Sequence, residues 1–137
     1  MNTGMHATGT RLVRIANAQD LLAHSADRLS HLLTPAELAQ ANARENPAEY
    51  VAGHLAAKGA AIDALARLLP PGTKIDSLEL ETLDATSGAP VCTVRGSLAA
   101  ALAARSMEPP CISITNEAGA ALATAMVRIP RKGDTHA

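Results

Sequence analysis

Lys58 stands in the middle of an apolar helical stripe. At about 100° per residue, Val51, Leu55, Lys58, Ile62, Leu65 and Leu69 fall within roughly 40° of one line. An ammonium aimed into a core or a cleft needs a partner. Such a lysine can hold a phosphate or work as an acid–base group with a lowered pKa. It can also snorkel to the helix edge, or pair with an acid from a neighbouring subunit. His54 lies one turn earlier and about 40° away, so both side chains are expected on one cleft wall. The competing reading of His54 is a half-buried contact residue. Arg11, near Arg14, offers either an anion contact or a solvated strand residue. Glu117 is the nearest carboxylate to serve as a general base, although it and Asn116 follow a strand end, where turn roles are common. Ser113 and Thr115 have no base beside them in sequence and read as strand hydroxyls rather than nucleophiles. His6, His24, His31 and His136 lack metal-ligand spacing and read as surface residues.

The elements that must position these groups are marked in the chain. Residues 1–8 are small and polar, and are expected to form a disordered leader. Thr10–Ile15 reads as a short strand, followed by a helical stretch through Leu21, Leu22 and Leu29. Thr34-Pro35-Ala36-Glu37 is a helix start, with Thr34 as cap, Pro35 in the first turn and Glu37 at capping-box spacing. Asn46-Pro47-Ala48-Glu49 repeats that logic and opens the longest helix, expected to run to about Leu69, where Pro70-Pro71-Gly72 stops it. Beyond it the period becomes two. Leu78-Glu79-Leu80-Glu81 alternates as a half-buried strand, Ser87–Pro90 turns, and Val91–Arg95 returns as a hairpin. A helix over Ser97–Arg105, with Ser97 as its cap, precedes a strand at Cys111–Thr115. Glu117-Ala118-Gly119 is a turn, Ala121–Ile129 a final strand, and residues 130–137 a polar tail. Helices come first and an antiparallel sheet closes the chain, which gives the α+β class with a single domain over residues 9–129. No internal repeat is visible.

Composition narrows the function. The chain has 137 residues, 47% of them hydrophobic, with no Trp, no Phe and Tyr50 as the one aromatic besides histidine. Its core must be built from Leu, Ile, Val, Ala and Met, and alanine buries little area, so oligomerisation would help. The formal charge of −1 argues against charge-driven nucleic-acid binding, and the scarcity of aromatics against base-stacking modules. No apolar run approaches a membrane span and no signal-peptide pattern is visible, which points to the cytoplasm and no membrane. Cys92 and Cys111 lack metal-ligand spacing and read as free buried thiols, with a disulfide between them as the alternative.

Four segments, in order, give the chain a resemblance to a known family. Gly9-Thr10-Arg11-Leu12-Val13 is similar to an opening Gly-Ile/Thr-Asp-hydrophobic-Val strand. Leu33-Thr34-Pro35-Ala36-Glu37 is similar to a Leu-Thr-x-x-Glu helix start. Ala52-Gly53-His54-Leu55-Ala56-Ala57-Lys58-Gly59-Ala60 is similar to an Ala-Gly-Arg-Phe-Ala-Ala-Lys-Glu-Ala helix. Ser113-Ile114-Thr115-Asn116-Glu117 is similar to a Ser-Ile-Ser-His-Glu strand end. From about Thr8 to Arg128 the chain resembles the holo-acyl-carrier-protein synthase group of 4′-phosphopantetheinyl transferases. The resemblance implies a long central helix packed on a small antiparallel sheet, in a homotrimer. It also implies coenzyme A in a cleft between subunits, and Mg²⁺-dependent transfer of phosphopantetheine to a serine of an acyl carrier protein.

The chain departs from that pattern at the chemistry. The metal-binding Asp of the opening strand is Arg11 here, and the metal-binding Glu after the lysine is Gly59. The His near the coenzyme A phosphates is Asn116, whereas Lys58 and Ser113 remain. Mg²⁺ is held by carboxylates, phosphate oxygens and waters, so a site with neither acid and with an added guanidinium is not expected to hold it. Arg11 and Lys58 together offer a metal-free contact for a pyrophosphate. The expected ligand set is therefore Arg11, Lys58, Ser113 and Asn116 for coenzyme A or phosphopantetheine, with Lys58, His54 and Glu117 as the chemical groups and no metal ligand. The expected function is recognition of a pantetheine group with transfer lost or reduced. Acid–base work on a carrier-tethered acyl chain (dehydration, isomerisation or cyclisation) is a further expectation. Two alternatives stand beside it: a non-catalytic partner or regulator docking a carrier protein, and an active synthase with a metal site relocated to Asp63 or Glu117. Asp63 lies about 140° from Lys58 on the helix and should point away from it.

Overall fold

A computed structural model describes residues 5–129. The order of elements is β1 (Met5–Arg14), α1 (Ile15–His24), α2 (Ala26–Ser30), α3 (Pro35–Asn42), α4 (Pro47–Leu68), a 3-10 turn at Ser77–Glu79, β2 (Leu80–Asp84), β3 (Pro90–Val94), α5 (Gly96–Ala104), β4 (Cys111–Glu117) and β5 (Ala120–Ile129). The α+β class holds, but in two sheets. β1, β5 and β4 form an antiparallel three-stranded sheet in that order, and β2 pairs with β3 as a separate hairpin. The opening strand therefore returns to pair with the closing one.

α4 lies across the three-stranded sheet and is the spine of the molecule. Both helix starts read from sequence are present. Thr34 and Glu37 exchange the two bonds of a capping box, and the Asn46 side chain accepts from the Glu49 amide at 3.2 Å. The α4 face against the sheet is alanine: Ala56, Ala57, Ala60, Ala61 and Ala64 are fully buried. Small side chains let helix and sheet approach closely, which is what the alanine-rich composition is for. The approach is tightest at Gly9, where a Cβ would overlap the Ala60 carbonyl oxygen. Inward-facing Ala121, Ala123, Ala125 and Val127 of β5 complete this core.

Four expectations need correction. The strand begins at Met5, inside the stretch expected to be a leader, because β5 is long enough to pair with it through Met5↔Ile129. Ala7 there turns inward and is buried. The first helical stretch is broken at Ser25, whose φ of −141° and ψ of 44° leave the helical region. Its amide still bonds back to Leu21, while its carbonyl accepts from Leu29 as the next helix starts. Ser97 does not cap α5. The carboxylate of Glu79, from the preceding 3-10 turn, accepts from the Ser97 amide, the Ser97 hydroxyl and the Leu98 amide instead. Those bonds, the hydroxyl's first, hold the Glu79 carboxyl below its usual range. Finally, both thiols are free, but only Cys92 is buried and Cys111 is exposed. The polar tail lies outside the described residues.

Candidate functional site

Lys58 has its partner inside its own chain. Its ammonium lies 2.6 Å from Glu37 Oε1 and donates to the carbonyls of Leu32 and Ser77, each at 2.8 Å. An ammonium has three donors, so the side chain is saturated. Burial pushes the Lys58 pKa down from the usual lysine range, and Glu37 pulls it back up. Glu37 is fully buried. Its Oε1 also accepts from the Thr34 amide at 2.7 Å and its Oε2 from the Thr82 amide at 2.6 Å. The same carboxylate thus caps α3, anchors Lys58 of α4 and pins β2. Beside it, Glu81 accepts from the Thr34 hydroxyl and from Arg95, each at 2.5 Å.

His54 points into the same region from one turn earlier. Nδ1 lies 2.7 Å from the Thr82 hydroxyl and Nε2 lies 3.1 Å from Asp84 Oδ1. Its ring stacks on Tyr50, with centroids 3.9 Å apart. Burial lowers its pKa, against the pull of Asp84 and Glu37. The Thr82 hydroxyl, with one proton to give, lies within reach of both His54 Nδ1 and Glu37 Oε2, the latter at 3.1 Å, so it couples the histidine to the buried carboxylate. The Tyr50 hydroxyl donates to Gln40 at 2.6 Å, and Arg44 bridges Asp84 at 3.0 Å while lying over the Tyr50 ring. Burial first, then the Asp84 charge, raises the Tyr50 pKa above the usual phenol range.

Tyr50 and His54 form one wall of a cleft of about 490 Å³ between the start of α4, the β2–β3 hairpin and β4. Ile114 and Asn116 of β4 line it opposite, and α4 comes close to that strand at Gly53. Asn116 donates to Glu49 at 3.2 Å. Glu45, Glu49 and Asp84 set three carboxylates in the lining against the one guanidinium of Arg44.

The structure therefore brings His54 and Asn116 together and keeps the other candidates apart. Lys58 is not in the cleft lining. It sits beneath, connected through Glu37 and Thr82. Ser113 and Glu117 alternate outward on β4, on the sheet face away from α4. Arg11 lies on β1, where Nε and Nη2 form a two-pronged salt bridge to Asp63 at 2.9 and 3.1 Å. That bridge passes over Gly59, since a Cβ there would stand 3.0 Å from Arg11 Cγ. The room left by Gly59 is filled by Arg11. The acids implied at positions 11 and 59 are absent, and Asp63 has both oxygens engaged, so these residues do not fit a Mg²⁺ site. Among the described residues no cluster of three or more His, Cys, Asp or Glu side chains is placed to hold a metal ion.

Sequence reasoning missed Glu37, Thr82 and Asp84. Glu37 was visible only as a capping residue, although a lysine on an apolar stripe demands an acid. Tyr50 carried a signal too, as the sole Tyr four residues before His54 on a helix.

No protein-family model matches the chain. The holo-[acyl-carrier-protein] synthase of Pseudoalteromonas atlantica is 30% identical over 122 residues, covering 89% of this chain and 95% of that protein. The chain belongs to the holo-[acyl-carrier-protein] synthase family. The synthase of Hamiltonella defensa is 43% identical over a shorter stretch of 58 residues, 42% of this chain and 46% of that protein. The ACPS–CoA complex of Chronobacterium ammoniagenes superposes with a TM-score of 0.80 at 26% identity, covering 93% of this chain and 99% of that one. The four-segment resemblance and the synthase fold are thus established. No helix of the described residues is long and apolar enough to cross a membrane.

Proposed function

We propose that this member of the synthase family recognises a pantetheine group, on coenzyme A or on an acyl carrier protein, with Mg²⁺-dependent transfer lost or much reduced. The Arg11–Asp63 bridge across Gly59 carries this reading, since it puts a fixed guanidinium where the resemblance implies a metal-binding acid. The cleft supports the ligand class. Its volume, about 490 Å³, is in the range of roughly 300–1,000 Å³ usual for small-molecule sites. Its acidic lining suits the uncharged amides and hydroxyls of a pantetheine arm better than the phosphates of the nucleotide.

Acid–base work on a tethered acyl chain has less support than binding. The His54 ring nitrogens, the Tyr50 hydroxyl and the Asp84 carboxylate are all engaged by protein groups. That saturation favours, as the second reading, a non-catalytic subunit that docks a carrier protein. Calorimetric titration with pantetheine, coenzyme A and holo carrier protein tests the proposal. Binding of at least one, weakened by Asn116→Ala, is expected; binding of none ends it.

A homotrimer is part of the same reading. The sheet face away from α4 carries exposed Leu12, Leu122 and Met126, an apolar patch that a second copy would cover. Two free thiols suit a reducing compartment such as the cytoplasm.

A further inference from the structure

Arg11, Gly59 and Asp63 form one interlocked unit. Asp63 lies one turn after Gly59 on α4, and Arg11 reaches it from β1 by crossing the bare backbone of Gly59. The guanidinium fork takes Oδ2 with Nε and Oδ1 with Nη2. A divalent cation entering here would have to break both bonds and would then face a permanent positive charge. Arg11 itself remains half exposed, at 53% for its side chain, so its outer edge is open to an anion.

We infer that the Arg11–Asp63 pair is a resident replacement for the divalent cation. It neutralises the local acid, and it meets the pyrophosphate of a bound ligand without metal. The ligand half of this inference rests on the pantetheine reading; the cation half does not. Gly59 is the third member, because a Cβ there would stand 3.0 Å from Arg11 Cγ and 3.2 Å from its Nη1, so a long side chain would compete with Arg11 for the same space.

Two titrations of the full-length chain test the two halves separately. In the first, Mn²⁺ is added and the free ion is followed by electron paramagnetic resonance. The native chain is expected to take up none at millimolar metal, and R11D/G59E, with carboxylates at 11, 59 and 63, to take up one ion per chain. Uptake by the native chain that disappears in Asp63→Asn overturns the inference, whether or not the double variant folds. A folded double variant that takes up no ion overturns it too. In the second, coenzyme A is titrated with and without EDTA. Equal affinity in both, and a loss of roughly tenfold or more in Arg11→Ala, is expected. An affinity that EDTA abolishes, or that Arg11→Ala leaves unchanged, contradicts the anion contact. No coenzyme A binding at all defeats the pantetheine reading and the anion contact, while the Mn²⁺ result still decides the cation claim.

Discussion

The ammonium of Lys58 and the carboxylate of Glu37 are 2.6 Å apart, with side chains 3% and 0% exposed. They join the two helices whose starts are most plainly written in the sequence, α3 and α4. A buried ion pair adds little over apolar packing, but breaking one side leaves an uncompensated charge. Lys58→Met should therefore cost about 3–5 kcal/mol, a large part of the roughly 5–15 kcal/mol available to a domain. The double change Lys58→Met with Glu37→Gln should recover much of that loss. Urea unfolding of the native chain and the two variants measures it. A Lys58→Met protein as stable as the native chain would mean the pair is not a structural anchor.

His54 makes stability pH-dependent in a definite direction. Burial holds its folded pKa below the ordinary histidine value of about 6.5. Between the two values the unfolded chain binds more protons, so folding stability rises with pH through that window and falls on acidification. His54→Gln should flatten this part of the stability–pH curve relative to the native chain. Parallel slopes for the two proteins would show that His54 is not held neutral.

The two thiols should react at different rates once the proposed homotrimer is dissociated. Burial, with the Glu37 charge adding, pushes the Cys92 thiol up to about 12, which leaves almost no thiolate near neutrality. Cys111 is exposed on the outer sheet face. In a monomer one thiol should titrate promptly with a disulfide reagent and the second only in denaturant. Protection of both in the native protein, lost on dilution, is the outcome that a sheet-packed homotrimer gives.

Gly9 is fixed by contact rather than by backbone angle. Its missing Cβ is what lets β1 cross α4 at the Ala60 carbonyl. Gly9→Ala must move backbone against backbone and should cost about 1–3 kcal/mol. An unchanged melting temperature would contradict this close approach.

Much of the fold was legible because it is encoded locally. Thr34, Pro35 and Glu37, and again Asn46, Pro47 and Glu49, mark helix starts whose bonds lie within four residues of one another. The strand over Ala121–Ile129 is plain from alternation, and the family motifs fixed the order of the elements. The site was less legible because its contacts span the chain. Nothing near Lys58 in sequence says that its acid is a capping residue on another helix. Nothing near Arg11 says that its partner is Asp63, 52 positions away. His54 and Lys58 share a helix face by angle, yet only His54 reaches the cleft. Lys58 is held by Glu37, Leu32 and Ser77, whereas Thr82 and Asp84 of the β2–β3 hairpin meet the His54 ring. The leader failed for the same reason: Met5–Thr8 are strand only because β5 extends far enough to pair with them.

We propose that this chain of the synthase fold carries an internal salt bridge where the resemblance implies metal-binding acids, with the transfer reaction lost or much reduced. Intact-mass measurement of apo acyl carrier protein, incubated with coenzyme A, Mg²⁺ and this protein, tests it most directly. No mass change is expected over the time in which an active synthase from the same family completes the modification. A gain of one phosphopantetheine per carrier protein at a comparable rate would contradict it.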